Sequence, residues 1–548
     1  MSGKPMFTRQ AQVAAVLMYA VSFLLAPTVE AAQQPLLTSH VPEAVTSGLA
    51  PMVGEIPGTQ RLSLAMSLPL RNEDRLDQFL QDLYDPNSPS FHQYLSVEEF
   101  ATRFGPTEAD YAAVVDFAQR NGLTLIDKAA NRLVLDVDGP VETIEKAFQL
   151  KLKVYQHPME SRLFYAPDRE PTVDLEVALL HISGLDNFSV PQPKSNGFHG
   201  ESAKGTGSGP GGSLLGSDVR AAYYGSGALN GAGQSVGLFE FGPYRISDIY
   251  HYFNNVGEPL NVSIENVSVN GASLNCHSGT CNDGEEALDI EQAISMAPGL
   301  NKLIVYVGSK NVSIFNRMAS DNAAKQLSCS WGWQDNESSL DPIFEEMAAQ
   351  GQTLFVATGD QGSSTPGNVT WPSDDPWVTA VGGTVLTTNG AGGSWKTETG
   401  WTNSAGMPSK NGVPIPDYQQ LAGVINSSNH GSTKLRNIPD VAAASTGLYV
   451  CANGTCAEHG AGTSYAAPQW ASLTAMLNQK RIANGKTSIG FLNPSLYSIG
   501  TSSSFGSDFH DITSGSNGEY SAVAGYDLVT GWGSPKAVNL INSLASMQ

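Results

Sequence analysis

The alternation of apolar and polar positions changes character along the chain. Residues 61–71 alternate with a period of two, as a strand with one buried face does. Residues 74–84 switch to helical spacing, with Leu76, Phe79, Leu80 and Leu83 on one side. Thr107 is placed to cap a second helix over residues 108–119, and Gly122 to stop it. Strands at 123–126 and 132–137, a helix at 141–148 and a strand at 150–155 complete an α+β unit. Residues 33–60 carry no clear period and predict a loose lead. Nothing in this unit groups a nucleophile with a base, and His92 is read as a structural histidine.

From residue 214 the pattern is different. Short apolar runs at 235–241, 301–307, 327–331, 353–358 and 378–381 alternate with helical runs at 284–296, 341–350 and 464–478. That order predicts a parallel sheet with crossover helices, with sites at the carboxyl ends of the strands. Between the two patterns lies Lys-Gly-Thr-Gly-Ser-Gly-Pro-Gly-Gly-Ser, inside residues 195–216. This composition suits a flexible linker open to proteolysis, either a plain tether or an activation segment. The expected division is therefore a leader at 1–31, a first domain at 32–194, a linker at 195–216 and a second domain at 217–548.

The leader is expected to be a secretory signal. Lys4 and Arg9 precede an apolar stretch at 13–26, and Val29-Glu30-Ala31 offers small residues for cleavage. The apolar stretch is short for a membrane span, so the mature chain is expected to be exported and soluble. With 52 acidic against 30 basic residues, the net charge of −22 argues against nucleic acid and anionic membrane as partners. Charged residues make up 15% of the chain, which limits self-repulsion among cations once carboxylates protonate and fits work in acid. Of five cysteines, Cys276/Cys281 and Cys451/Cys456 are spaced to close two small loops, and export permits disulfides. Cys329 fits a buried strand thiol, and no spacing suggests zinc.

Three stretches carry candidate chemistry. Gly462-Thr463-Ser464-Tyr465-Ala466-Ala467-Pro468 places one serine among small residues, between a Gly-rich loop at 458–462 and a helical run. Backbone N–H groups at such a helix start face whatever the serine oxygen attacks, although a plain helix cap has the same composition. In Asp283-Gly284-Glu285-Glu286-Ala287-Leu288-Asp289-Ile290-Glu291, Glu285 and Asp289 stand one helical turn apart. Two such carboxylates share a proton in mild acid, and a carboxylate near its reference pKa of ~4 is a usable base there. Five acids compete in this stretch, and spacing alone does not choose the pair. Residues 355–362 form a buried strand running into a Gly turn that presents Asp360, which donates a hydrogen bond only when protonated.

Gly-Thr-Ser-x-x-x-Pro resembles the nucleophile motif of the subtilisin clan, whose histidine-bearing helix is missing here. Gly-Glu-x-x-Leu-Asp-Ile-Glu at 284–291, Ser-Trp-Gly at 330–332, Gly-Asp-x-Gly-Ser at 359–363 and the serine motif occur in the order of the sedolisin family of serine-carboxyl peptidases. Residues 85–95, Asp-Pro-Asn-Ser-Pro-Ser-Phe-His-Gln-Tyr-Leu, resemble that family's inhibitory prodomain. The resemblance implies a subtilisin-like α/β domain behind an α+β prodomain. It implies Ser464 as nucleophile, Glu285 as base, Asp289 holding the shared proton, and protonated Asp360 at the oxyanion. Glu240 would extend the carboxylate chain. It also implies one structural calcium, held by Asp511, Asp527 and the carbonyls of Ile512, Val523 and Gly525. Val523 stands where related chains often have glycine, and valine disfavours positive φ.

The expected protein is a monomeric, secreted, acid-active endopeptidase of polypeptides, inhibited by its own prodomain until acid protonates carboxylates at their contact. A tripeptide-releasing exopeptidase of the same family would carry the same catalytic residues, and a non-catalytic binding protein on this scaffold is the remaining alternative.

Overall fold

A computed structural model describes residues 36–195, 205–276, 281–334, 339–363 and 371–547. The expected signal segment, 1–31, lies outside the described residues.

The first unit is built on a four-stranded antiparallel sheet in the order Thr124–Lys128, Val134–Pro140, Arg61–Ser67, His181–Ser183. The alternation along Arg61–Ser67 divides its side chains between two cores. Leu62, Leu64 and Met66 pack with Val114 and Phe117 of helix Glu108–Arg120 and Ile144 of helix Val141–Phe148. Ala65, on the other face, joins a core shared with the second unit. Thr107 caps its helix in a capping box with Asp110, as the sequence predicts. A second box, Ser96 with Glu99, starts a helix at Val97–Arg103 that periodicity does not reveal. Residues 33–60 are not wholly loose. Strand Met52–Glu55 pairs with Leu152–Gln156, and Ala44 and Ala50 pack on Tyr155 and Phe164. Elements this short acquire order from tertiary contact rather than from their own period.

The second unit is an eight-stranded sheet. Ser263–Ser268, Lys302–Val307, Ser235–Glu240, Gln326–Cys329, Thr353–Ala357 and Thr379–Thr388 lie side by side in parallel. Val441–Ala444 is a further parallel neighbour of Thr379–Thr388, and Trp395–Gly400 adds antiparallel. Helices Gly284–Met296 and Ala466–Ala483 cover one face, and Asn311–Asp321 and Asp341–Ala349 the other. Leu238 and Phe239 of one central strand go to opposite cores, which is why these strands read as unbroken apolar runs.

The first unit docks on helices Asn311–Asp321 and Asp341–Ala349. Leu76, Leu80, Leu83, Phe100 and Phe104 share a core with Phe315, Met318 and Phe344. Tyr84 donates to the Ala348 carbonyl at 2.7 Å, and Leu95 N to Ala349 O at 2.9 Å. Residues 205–216, read as linker from composition, instead pack into the second unit. Leu214 N donates to Gly447 O at 2.7 Å, Ser208 binds Asp218 through N and Oγ at 2.7 Å each, and Leu214 and Leu215 are buried. Here glycine permits close approach of two backbones: Gly207 N and Gly209 N donate to Gly212 O and Ser213 O. Both spaced cysteine pairs form disulfides, Cys276–Cys281 and Cys451–Cys456, and Cys329 is a buried free thiol. No helix among the described residues is long and apolar enough to cross a membrane.

Candidate active site

Helix Gly284–Met296 is buried on every side, so its acids do not form a solvated face. Three of its acids point away from the serine. Asp283 accepts from Arg245 Nη1 and Arg245 N, both at 2.7 Å, and Asn453 N donates to it at 2.8 Å. Glu291 accepts from Cys451 N at 3.2 Å. Glu286 faces Gly242, where a Cβ would stand 2.7 Å from its Oε1. Glu285 and Asp289 remain, and they face the serine.

Ser464 sits in a 3-10 turn, Thr463–Tyr465, which feeds directly into helix Ala466–Ala483. The helix cap is Tyr465, so the serine is free of capping duty. The stretch before the turn is a correction to the sequence reading. Residues 458–461 belong to strand Thr455–Ala461 of a hairpin with Thr446–Ala452, cross-linked near its turn by Cys451–Cys456.

Ser464 Oγ donates to Ser330 O at 3.4 Å, and Ser330 Oγ donates to Asp289 Oδ1 at 2.8 Å. Glu285 lies within interaction range of the Ser464 and Ser195 hydroxyls, which favour its charged form, although neither buried oxygen has a partner of good hydrogen-bond geometry. Burial raises Glu285 well above the usual carboxylate range, and the neighbouring Asp289 adds to it. Asp289 and Glu240 are also raised chiefly by burial. Trp331 Nε1 donates to Glu240 Oε2 at 3.0 Å, anchoring the far end of this buried carboxyl chain at the carboxyl end of strand Ser235–Glu240. Three acids in one dry site cannot all ionise, so the cluster holds protons.

Asp360 follows strand Thr353–Ala357 through Gly359, whose φ of +115° favours glycine. Its Oδ1 accepts from Thr463 N at 2.8 Å and Thr463 Oγ1 at 2.9 Å, which ties the Asp360 turn to the residue before the serine. Ser464, Glu285, Asp289, Glu240 and Asp360 are thus brought together from four separate elements.

Sequence reasoning missed two participants. Ser330 was visible only as part of Ser-Trp-Gly, and it bridges serine and carboxylate. The other is the segment at 192–195, which lies in the groove. Gln192–Pro193 pairs antiparallel with Trp331–Gly332, Lys194 N donates to Ser330 O at 2.8 Å, and Ser464 N donates to Lys194 O at 3.1 Å. A separate cleft of about 960 Å³, lined by His40, Asn187, Phe241, Lys310 and Trp333, lies between the two units and contains none of the candidate catalytic groups.

The two expected calcium-binding carboxylates are held by backbone N–H groups of one loop, Asp527 Oδ1 accepting from Val529 N at 2.9 Å and Thr530 N at 2.8 Å. Gly525 N donates to Asp511 Oδ1 at 3.1 Å, and Val523 N to Asp527 Oδ2 at 2.9 Å. Gly525 has φ +81°, whereas Val523 is not among the positive-φ residues, so valine costs nothing there. Burial raises Asp511, and raises Asp527 to about 7, as happens where a cation would offset buried carboxylate charge. This all-oxygen set fits calcium. A cluster of Cys276, Cys281 and Asp283 does not form a metal site: its sulfurs are bonded to each other and its carboxylate is held by Arg245.

Comparison with known proteins follows the same division. Residues 50–188 match the family described as "Pro-kumamolisin, activation domain". Kumamolisin from Bacillus sp. (strain MN-32) is 31% identical over 94% of this chain and 97% of its own. Tripeptidyl-peptidase 1 from Rattus norvegicus is 25% identical over 92% of this chain and 96% of its own. The solved structure of Pseudomonas sedolisin, a serine-carboxyl proteinase complexed with two molecules of pseudo-iodotyrostatin, superposes with a TM-score of 0.53. It is 28% identical and covers 61% of this chain and 98% of that one.

Proposed function

The chain belongs to the family of kumamolisin and sedolisin, the serine-carboxyl peptidases, and from that premise we propose that it is a secreted, acid-active endopeptidase made as a self-processing zymogen. Ser464 attacks the peptide carbonyl. Glu285 takes the hydroxyl proton and returns it to the leaving amine, and Asp289 holds the proton that the pair shares. Ser464 N and protonated Asp360 face the oxyanion. The observation that carries this reading is the contact chain from Ser464 through Ser330 to Asp289, with Glu285 beside the same hydroxyl.

Endopeptidase action is favoured over tripeptide release by the course of the bound segment. It continues from Lys194 through Gln192 to Ser189, whose Oγ accepts from Gln334 N at 3.2 Å, so the precursor itself presents more than three residues ahead of that carbonyl. The test is digestion of a long unstructured peptide at pH 4. Internal fragments of varied length are expected, and a ladder of tripeptides from the amino end would give the reading to the exopeptidase.

Inhibition by the first unit needs release in acid, and interface carboxylates have the wrong sign for it. Asp136, accepting from Ser313 Oγ at 2.6 Å, is raised to about 6, and Glu346, accepting from Asn131 at 2.6 Å, to about 8. Glu345, facing Asp77 and Glu73, is also raised to about 8. Burial keeps these groups neutral when docked, so falling pH favours docking until free carboxylates protonate as well, near ~4. His92 has the opposite sign. Its Nδ1 accepts from Arg481 Nη2 at 3.1 Å, and burial, Arg481 and Lys486 lower it from 6.5 to about 3. The docked state refuses a proton that the free unit takes below 6.5, so docking weakens down to about pH 3. Below ~4 only the histidine contribution still changes, so docking is tightest near pH 4 and His92 is the group among these that loosens it towards pH 3. His92→Gln keeps an acceptor for Arg481 without titrating. Small-angle scattering of an uncut Ser464→Ala precursor between pH 4 and 3 should show less undocking with His92→Gln than without it, and an equal extent in both would acquit His92.

Asp511, Asp527 and the carbonyls of Ile512, Val523 and Gly525 are proposed to hold one calcium, which when bound neutralises the two carboxylates and pins the loop. Chelation with EDTA should lower the melting temperature by several degrees, with recovery on adding calcium and no loss in an Asp511→Ala variant already lowered. Identical melting with and without chelator in the wild type would remove the ion from the proposal.

A further inference from the structure

On the peptidase reading just given, we infer that the bond this chain cuts in itself is Lys194–Ser195, held in its own groove as a substrate. Residues 192–195 are bound as an added strand. Gln192 and Pro193 pair with Gly332 and Trp331 on one edge, and Ser195 bridges Gly462 on the other. The register names the bond. The carbonyl to be attacked is the one facing the N–H of the nucleophile's own residue, because that donor stabilises the charge developing on oxygen. Lys194 O occupies that place, 3.1 Å from Ser464 N. Ser464 Oγ donates to Ser330 O, which also accepts from Lys194 N, so hydroxyl and Lys194 backbone meet on a single atom. Space is limited to backbone on the far side. A Cβ at Gly462 would stand 2.7 Å from Lys194 O, 2.7 Å from Ser195 Cα and 3.0 Å from Asp360 Oδ2. The leaving residue lies beside the acid, with the Ser195 hydroxyl in range of Glu285.

The Lys194 side chain is enclosed as well. It is 8% exposed, and its Cε and Nζ lie against Gly332, where a Cβ would collide with both. Burial lowers the ammonium to about 8, leaving it charged in acid, and Asp374 acts to hold its charge. The pocket thus accepts a long cationic side chain because Gly332 has none.

The step balances with water alone. Ser464 Oγ bonds to the Lys194 carbonyl carbon as its proton passes to Glu285. The carbon–nitrogen bond to Ser195 breaks, and the Ser195 amine takes that proton. Water then cleaves the Lys194 ester, giving a Lys194 carboxylate and free Ser464.

The test is a time course of purified wild-type precursor at pH 4, read by intact mass and amino-terminal sequencing. The earliest products should end at Lys194 and begin at Ser195, at a rate independent of protein concentration. Gly332→Val should slow that cut at least ten-fold. In the mature wild type, peptides with Gln-Pro-Lys-Ser should be cut after lysine at least ten-fold faster than Gln-Pro-Glu-Ser. An active enzyme whose earliest product keeps Lys194–Ser195 joined overturns this inference and leaves the peptidase reading intact. A precursor that neither cuts itself nor hydrolyses any peptide sinks the reading beneath it.

Discussion

Ser464→Ala is expected to leave the precursor as one uncut chain after prolonged incubation at pH 4, with peptide hydrolysis reduced by a factor on the order of 10⁵–10⁶. Ser464 Oγ is the group in the pocket that lies between the carboxylate cluster and a peptide carbonyl already docked on Ser464 N. Removing one oxygen removes the covalent route while leaving the turn, the helix and the Lys194 contact in place. The measurement is gel and mass analysis of a purified preparation, with pepstatin present to silence pepsin-type contaminants. Normal processing of this variant would show that some other molecule makes the cut.

Glu285→Gln is expected to lower kcat by a factor on the order of 10²–10⁴ at every pH, the usual worth of a placed general base. Glutamine preserves size and can still accept from Ser464, but it cannot take the proton. Asp289→Asn should fall in the same range, because it loses the proton it shares with Glu285 and alters the bond that Ser330 donates to Oδ1 at 2.8 Å. In the wild type the sign of the acid limb follows from burial. With the groove segment bound, the raised Glu285 is charged only above its shifted value, so the precursor's first cut should slow as pH falls through it, and the mature enzyme should keep activity to lower pH. Full activity of either variant would take the base away from this helix.

Much of this site could be read from the chain because buried elements write themselves plainly. The helix predicted at 284–296 matches Gly284–Met296, and the runs at 235–241 and 353–358 contain the strands Ser235–Glu240 and Thr353–Ala357. The choice among five acids was not legible, since it depends on Arg245 and Cys451 N, which are distant in sequence from the helix. Strand Ser263–Ser268 was missed because it is a largely exposed edge, and helix Asn311–Asp321 because its polar positions and absent cap obscure the period. The groove segment was hidden for another reason. Two residues, one of them Pro193, have no periodicity, and their conformation is set by Trp331 and Gly332.

That segment does more than block entry. On the proposed mechanism it also adds to the burial that raises Glu285, and a protonated Glu285 cannot act as the base. The precursor is therefore latent twice over, once by obstruction and once by drought. A first cut made under those conditions is slow, since few molecules carry the charged base at any moment. Departure of the strand readmits solvent, lowers the barrier to ionisation and brings the enzyme to full speed, so that a delay between synthesis and attack is built into the polarity of the cleft.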